Sequence, residues 1–295
     1  MTRTLSFSVP DEACGQKVGN YLRKIGLSHT LLVMIKRQGM LFLNGQPVFS
    51  TVSLSSGDVI SVTVREETVS DNIAPEDGPL DILYEDEDLL AVNKEAMIPV
   101  HPSRAHVYGT LAGRVMKYFE GQDFVFRAVN RLDKGTSGIV LIAKNPLSAN
   151  WFSSRADILK EYIGITEGLF PEDVTVSLPI AREAPEEMRR VVRGDGEFAL
   201  TYAHRTAFFN GFSAVRFVLG TGRTHQIRVH ASHIGHPLLG DPLYAAEASS
   251  GLERQALHAA RVTFTLPYSE KRLTLEAPLP EDMKALIPEE VTNNI

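Results

Sequence analysis

A single cysteine, Cys14, is all the chain offers for disulfide chemistry, so no intrachain bridge can form. No cationic-then-apolar leader opens the sequence, and its apolar runs fall far short of the roughly 20 residues that a membrane helix needs. A reducing, cytoplasmic setting without membrane contact is therefore expected. Excess positive charge is missing as well. The formal net charge is −6, which at first argues against a phosphate-rich partner, because such binding rests on Lys and Arg displacing counterions. The deficit is local, however. Residues 66–88 hold ten acidic residues and no Lys or Arg, and residues 270–295 hold six acidic against three basic, which leaves about +7 on the remainder. With 295 residues, 43% of them hydrophobic, the chain can build one large core and a smaller appended unit.

Residues 15–64 read as that smaller unit. Val18, Tyr21, Leu22 and Ile25 recur at helical spacing, and a second helical pattern covers residues 31–37. A strand at residues 40–43 then meets the turn pair Asn44-Gly45, residues 46–49 continue the hairpin, and residues 59–64 alternate as a further strand. Residues 65–78 are acidic, polar and Pro-containing, which suits a linker. The expected division is a small domain at 1–65, an acidic linker at 66–79 and a large domain at 80–295. Beyond residue 80, strands are expected at 88–92, 138–143, 162–167 and 213–219, and helices at 110–119, from Asn145-Pro146 to about 159, and directly after 219. Strands and helices alternate too irregularly for a doubly wound parallel sheet, so an α+β fold on a mixed, largely antiparallel sheet is expected. There is no internal repeat.

Two stretches are dense in reactive groups. Asn130-Arg131-Leu132-Asp133-Lys134-Gly135-Thr136-Ser137-Gly138 runs directly into the apolar strand Ile139-Val140-Leu141-Ile142. A carboxylate at the mouth of a rigid strand can be held accurately, and here it is flanked by the cations Arg131 and Lys134. The bland alternative is a turn with a capping Asp. The second stretch is Gly220-Thr221-Gly222-Arg223-Thr224-His225-Gln226-Ile227-Arg228-Val229-His230. Its glycines permit a tight strand-to-helix turn, Thr224 reads as an N-cap, and the helix start with Arg223 and Arg228 reads as an anion site. A third glycine and a downstream acid are missing, so a dinucleotide fold does not follow. His225, His230, His233 and His236 lack the spacing of a zinc helix, so no metal is expected. Ser137 has no Gly-x-Ser-x-Gly elbow around it, which argues against a serine hydrolase.

Taken together, Arg131-Leu132-Asp133-x-x-Thr136-Ser137-Gly138 and Gly222-Arg223-Thr224-His225-Gln226-Ile227-Arg228-Val229-His230 resemble the signature motifs of the RluA-type pseudouridine synthases. The resemblance extends over about 200 residues. It takes in Tyr84-Glu85-Asp86-Glu87-Asp88-Leu89-Leu90-Ala91-Val92-Asn93-Lys94, Val100-His101-Pro102, Lys160-Glu161-Tyr162 and His236-Pro237-Leu238-Leu239-Gly240-Asp241-Pro242-Leu243-Tyr244. The small unit is similar to the RNA-binding domain named after ribosomal protein S-four, through Gly15-Gln16-Lys17-Val18-Gly19-Asn20-Tyr21-Leu22, Ile35-Lys36-Arg37-Gln38-Gly39, Leu43-Asn44-Gly45-Gln46-Pro47-Val48 and Leu54-Ser55-Ser56-Gly57-Asp58-Val59-Ile60.

These resemblances imply an isomerase that needs no cofactor and acts on ribosomal or transfer RNA. Asp133 would be the catalytic carboxylate, adding covalently to the sugar or assisting a glycal-like intermediate. Tyr162 would lie over the base, Arg223 would pair with Asp133 and orient it, and Arg131 would fill the space left by the extruded uridine. Asn130, Lys94, His101, Thr136, Thr224, His225, Gln226, Arg228 and His230 complete the implied RNA-contacting set around the cleft. Lys17, Lys36 and Arg37, with Arg23 and Lys24, would face phosphates from the small unit. Asn130 stands where the family usually has His, so that position cannot titrate near neutral pH. A monomer is expected. The rival classes are a non-catalytic RNA-binding assembly factor or chaperone, against which the intact Asp133, Tyr162 and Arg223 argue, and a metal-dependent hydrolase.

Overall fold

The computed structural model describes residues 1–103, 106–154, 157–245 and 251–292. The N-terminal part is a four-stranded sheet with two helices: β1 (Thr2–Ser8), α1 (Val18–Lys24), α2 (His29–Arg37), β2 (Leu41–Leu43), β3 (Gln46–Pro47) and β4 (Val59–Arg65), in sheet order β1-β4-β2-β3. The helices form because Val18, Tyr21 and Leu22 on the first, and Leu31, Leu32 and Ile35 on the second, recur every three or four residues and bury one face. Ser28 caps α2 by accepting from the Leu31 N–H at 3.3 Å. Asn44 and Gly45 have φ of 51° and 79°, the pair of left-handed residues that a tight two-residue hairpin turn requires.

The sequence reading leaves residues 2–8 without an element, and the structure makes them β1. Its exposed and half-buried positions alternate along the edge of the sheet, where only Leu5 and Phe7 supply an apolar signal. Residues 66–79 carry no helix or strand, yet they are strapped onto the large body. Ile73 is buried, Ser70 Oγ accepts from the Phe126 N–H at 3.0 Å, and Glu76 accepts from the Gly109 N–H. Much of the acidic excess is spent in such contacts: Glu66 pairs with Arg127, Glu85 with Lys144, and Asp88 with Arg3.

The large body comprises β5 (Ile82–Glu85), β6 (Leu89–Lys94), α3 (Leu111–Tyr118), β7 (Ser137–Ala143), α4 (Pro146–Ser154), β8 (Leu159–Glu167), β9 (Asp173–Ser177), β10 (Ile180–Arg182), β11 (Arg190–Val192), β12 (Leu200–Phe209), β13 (Phe212–Leu219), α5 (Gln226–His233), β14 (Leu257–Thr265), β15 (Arg272–Glu276), α6 (Glu281–Lys284) and α7 (Glu289–Thr292). The main sheet runs β5-β6-β7-β14-β8-β13-β12-β9, with β15 on β14, while β10 and β11 form a separate hairpin. Among the described residues β7 and β14 are the parallel neighbours and the other pairings in this sheet are antiparallel, so the α+β expectation stands for this body. The helix expected from 146 to about 159 ends at Ser154 among the described residues, and Leu159 already belongs to β8; residues 155 and 156 of that expectation lie outside the described residues.

β6 and β7 carry the core on both faces. Leu90, Val92, Val140 and Ile142 pack toward α3, and Leu89, Ala91, Ile139 and Leu141 pack toward α4. Each such aliphatic side chain contributes roughly 1.5–3 kcal/mol relative to exposure. That rigid strand pair carries the Asp133 loop. Gly138 begins the crossing with φ of 110°, and a Cβ there would collide with the backbone of Ala259.

Candidate active site

Asp133 sits in the loop that precedes β7, and its backbone is held from three sides. Its carbonyl accepts from the Thr136 N–H at 3.0 Å, closing the turn. The buried Lys94 ammonium donates to the Lys134, Glu95 and Ile98 carbonyls at 3.2, 2.8 and 2.9 Å. Arg254 donates to the Gly135 carbonyl at 3.1 Å, and Gln255 Nε2 donates to Thr136 Oγ1 at 3.0 Å. Burial and the nearby Arg254 charge lower the Lys94 pKa to about 7, against the opposing pull of Asp133 and Glu95.

The Asp133 side chain remains partly open, with 28% of its surface exposed, and among the described residues one guanidinium reaches it: Arg228 Nη1, at 3.1 Å from Oδ2. The opposite edge of the same guanidinium is locked onto the fully buried Asp241 carboxylate through Nε and Nη2, each at 2.7 Å. His225 Nε2 lies 3.8 Å from Asp133, and its Nδ1 is 3.0 Å from the Tyr244 hydroxyl. His225 is also the N-cap residue of α5, in a left-handed conformation with φ of 57°, a region uncommon outside glycine that His enters more readily than most side chains. Burial foremost lowers its pKa.

The pairing expected between Arg223 and Asp133 is not the one formed. Arg223 precedes α5 and points outward to Glu197, donating through Nε to the Phe198 carbonyl at 3.0 Å. Arg228 is the third residue of the helix, on its buried face, and it is the residue whose reach ends at the carboxylate. The N-cap expectation shifts as well. Thr224 is exposed and outside the helix, and the helix start is instead organised by Gln226, whose Oε1 accepts from the Arg223 N–H and the Thr221 hydroxyl. The anion site expected there is altered in turn, because Arg228 is already committed to two carboxylates.

Asp133 and Tyr162 line the same space. A cleft of about 640 Å³ is bordered by His101, Arg131, Asp133, Lys160, Tyr162 and Arg223, with Thr224 at its rim. That is within the range of small-ligand sites. A narrower recess behind it adds His225, Ile227, Arg228 and Leu257. Tyr162, on β8, is buried, and burial together with the Asp133 charge pushes its phenol well above the ordinary range, so the ring is neutral at physiological pH. Burial, then Arg131, lowers the His101 pKa. Arg131 and Lys134 are exposed at the mouth.

Several residues implied as RNA contacts are interior. Asn130 clamps the edge of β7, donating to the Ile139 carbonyl at 3.0 Å and accepting from the Leu141 N–H at 2.8 Å. His230 is bonded to Thr201 and the Leu178 carbonyl, Gln226 Nε2 to Leu200 and Thr201, and Thr136 to Gln255. Their polar atoms, with those of Lys94, are used inside the fold. Lys17, Lys36 and Arg37 are exposed on the N-terminal part and do not line the cleft. Ser137 does meet a histidine, with Oγ 2.9 Å from His258 Nδ1, but both are buried between β7 and β14 and no substrate reaches them.

The sequence reading gave Asp241 and Tyr244 no role. The signal was available in Asp241, an acid within an otherwise apolar run, because a carboxylate that is buried must find a cation. Among the described residues no cluster of three or more His, Cys, Asp or Glu could hold a metal, and no helix is long and apolar enough to cross a membrane.

Comparison with known proteins yields one consistent set. The family model described as RNA pseudouridylate synthase matches residues 88–233, the span that carries Asp133, Tyr162 and α5. Uncharacterized RNA pseudouridine synthase YjbO of Bacillus subtilis is 38% identical over 277 residues, 92% of this chain and 98% of that protein. Ribosomal large subunit pseudouridine synthase D of Xanthomonas campestris pv. campestris is 32% identical over 95% of this chain and 90% of its own length. Among solved structures, Human RNA Pseudouridylate Synthase Domain Containing 1 is similar with a TM-score of 0.56 at 28% identity, over 69% of this chain and 86% of that one.

Proposed function

The chain belongs to the RNA pseudouridylate synthase family, and from that premise we propose how its cleft converts uridine to pseudouridine and on which RNA. The reaction is an isomerisation. The bond from ribose C1′ to base N1 breaks, the base turns, C5 bonds to C1′, the hydrogen of C5 leaves as a proton, and N1 takes up a proton in its place. Asp133 is the carboxylate that acts at the sugar, by adding to C1′ or by assisting loss of the neighbouring sugar proton. Arg228, fixed by Asp241, aims that carboxylate. Tyr162 offers the released uracil a flat, neutral face on which to turn.

A paired uridine is out of reach, so it must be extruded at a cost of a few kcal/mol of stacking. Arg131, exposed beside Asp133, takes the vacated place, where its planar cation can stack and still bond phosphate. The N-terminal part, as a unit spanning residues 1–65 and similar to the S-four domain, presents Lys17, Lys36 and Arg37 to folded RNA. Residues 66–79 join it to a catalytic unit at 80–295, and the protein works as a monomer. Large-subunit ribosomal RNA is the proposed substrate, because relatives across most of the chain are named for that RNA.

The observation that carries this reading is the meeting of Asp133, its Arg228 partner and the Tyr162 ring in one cleft. The test is incubation of the purified protein with transcripts made from [5-³H]UTP. Tritium release from large-subunit rRNA and not from transfer RNA is expected. Release from transfer RNA alone would overturn the substrate assignment.

A further inference from the structure

Beside the catalytic cleft lies a second cavity of about 520 Å³, under the β10–β11 hairpin. Arg131 and Arg223 line both cavities, so the two adjoin. Its charge is uneven in a specific way. The acids in its wall are already used, Asp195 by Arg193 and Glu197 by Arg223. Among the described residues no carboxylate pairs with Arg131, Arg182 or Arg190. Arg182 Nη1 donates to the Pro185 and Glu187 carbonyls at 3.0 and 3.3 Å, neutral partners that leave its charge uncompensated.

The hairpin is also held in register with the reacting carboxylate. The Arg190 N–H donates to the Tyr244 hydroxyl at 2.8 Å, and that hydroxyl is 3.0 Å from His225 Nδ1, on the ring that faces Asp133. Three uncompensated guanidinium groups at a fixed offset from a catalytic site suit a ligand with regularly spaced anions. Resting on the reading that this protein acts on RNA, we propose that the cavity under the β10–β11 hairpin is a phosphodiester subsite, in which Arg182 and Arg190 grip the backbone next to the extruded uridine. Arg131 then stands between the two sites, one side toward the vacated stack and the other toward the phosphates.

The test is RNA affinity as a function of salt, using the large-subunit rRNA transcript and the full chain. Replacing both residues, Arg182→Gln with Arg190→Gln, is expected to weaken binding about tenfold near physiological salt and to lower the slope of log Kd against log salt by about 1.4, or 0.7 for each lost phosphate contact on a single strand. The matching pair Arg182→Lys with Arg190→Lys keeps the charges and is expected to restore the slope, which a merely structural loss would not. Lys271→Gln with Arg272→Gln, at the start of β15 and lining neither cavity, removes the same two charges and leaves the slope unchanged. An unaltered slope in the Gln pair, with tritium release intact in the wild type, overturns the subsite and leaves the functional reading standing. A lowered slope in a protein that releases no tritium from any RNA supports the subsite and refutes the functional reading.

Discussion

Arg228 divides one guanidinium between two carboxylates, bidentate to the buried Asp241 at 2.7 Å and single-bonded to Asp133 at 3.1 Å. The unequal division has a purpose. Asp241 has no exposed side-chain surface and fixes the plane of the guanidinium, so that Nη1 meets Asp133 at a set angle while the outer edge of Asp133 stays open to the cleft.

Arg228→Met should therefore be severe twice over. It leaves Asp241 buried without a cation, which costs about 3–5 kcal/mol of stability by urea denaturation. It also frees Asp133 to rotate, for which a loss in kcat on the order of 100-fold is expected. Asp241→Asn should lower kcat by about tenfold or more while Asp133 keeps its partner. Arg223→Ala should cost at least tenfold less in kcat than Arg228→Met. Equal losses at 223 and 228 would return the pairing role to Arg223.

Gly138→Ala adds one methyl group at a position with φ of 110° and the Ala259 backbone directly against it. Strain and overpacking together should cost about 2–5 kcal/mol. Because the residue lies at the foot of the Asp133 loop, thermal denaturation and tritium release should fall together. A melting temperature within a degree of wild type would contradict the crossing geometry of β7 and β14.

Acid stability follows from His258. Its Nε2–H donates to the Ala277 carbonyl at 3.2 Å, so Nδ1 accepts from the Ser137 hydroxyl, and burial lowers its pKa from 6.5 to about 4. The unfolded chain binds this proton below pH 6.5 while the folded one stays neutral down to about pH 4. Stability is therefore whole above pH 6.5 and is lost as pH falls across that window, by up to about 3 kcal/mol. Urea titrations between pH 7 and 4 should show a steeper loss in wild type than in His258→Gln. Parallel curves would remove His258 from the account.

Only part of the large body was legible, where the signal is local: the apolar run of β7 from Gly138 to Ala143, the helical pattern of α3 and the alternation of β13; β5, β9 to β12, β14 and β15 had no such reading. β1 was not legible either, since a half-exposed edge strand offers few apolar positions. Motif order singled out Asp133 and Tyr162, and both line one cleft. The choice between Arg223 and Arg228 could not be read, because it depends on which face of α5 turns inward, and that is set by the left-handed His225 at the helix start. The burial of Lys94, Asn130, Gln226 and His230 was likewise invisible, since in sequence a polar residue serving the fold looks the same as one serving a ligand.

The most direct measurement is the rate of tritium release by Asp133→Asn, with RNA binding measured alongside. The substitution keeps size and polarity but removes the carboxylate, so binding should stay within a few-fold of wild type while turnover falls by at least about 10⁴-fold. Turnover within tenfold of wild type would mean that the chemistry does not pass through Asp133.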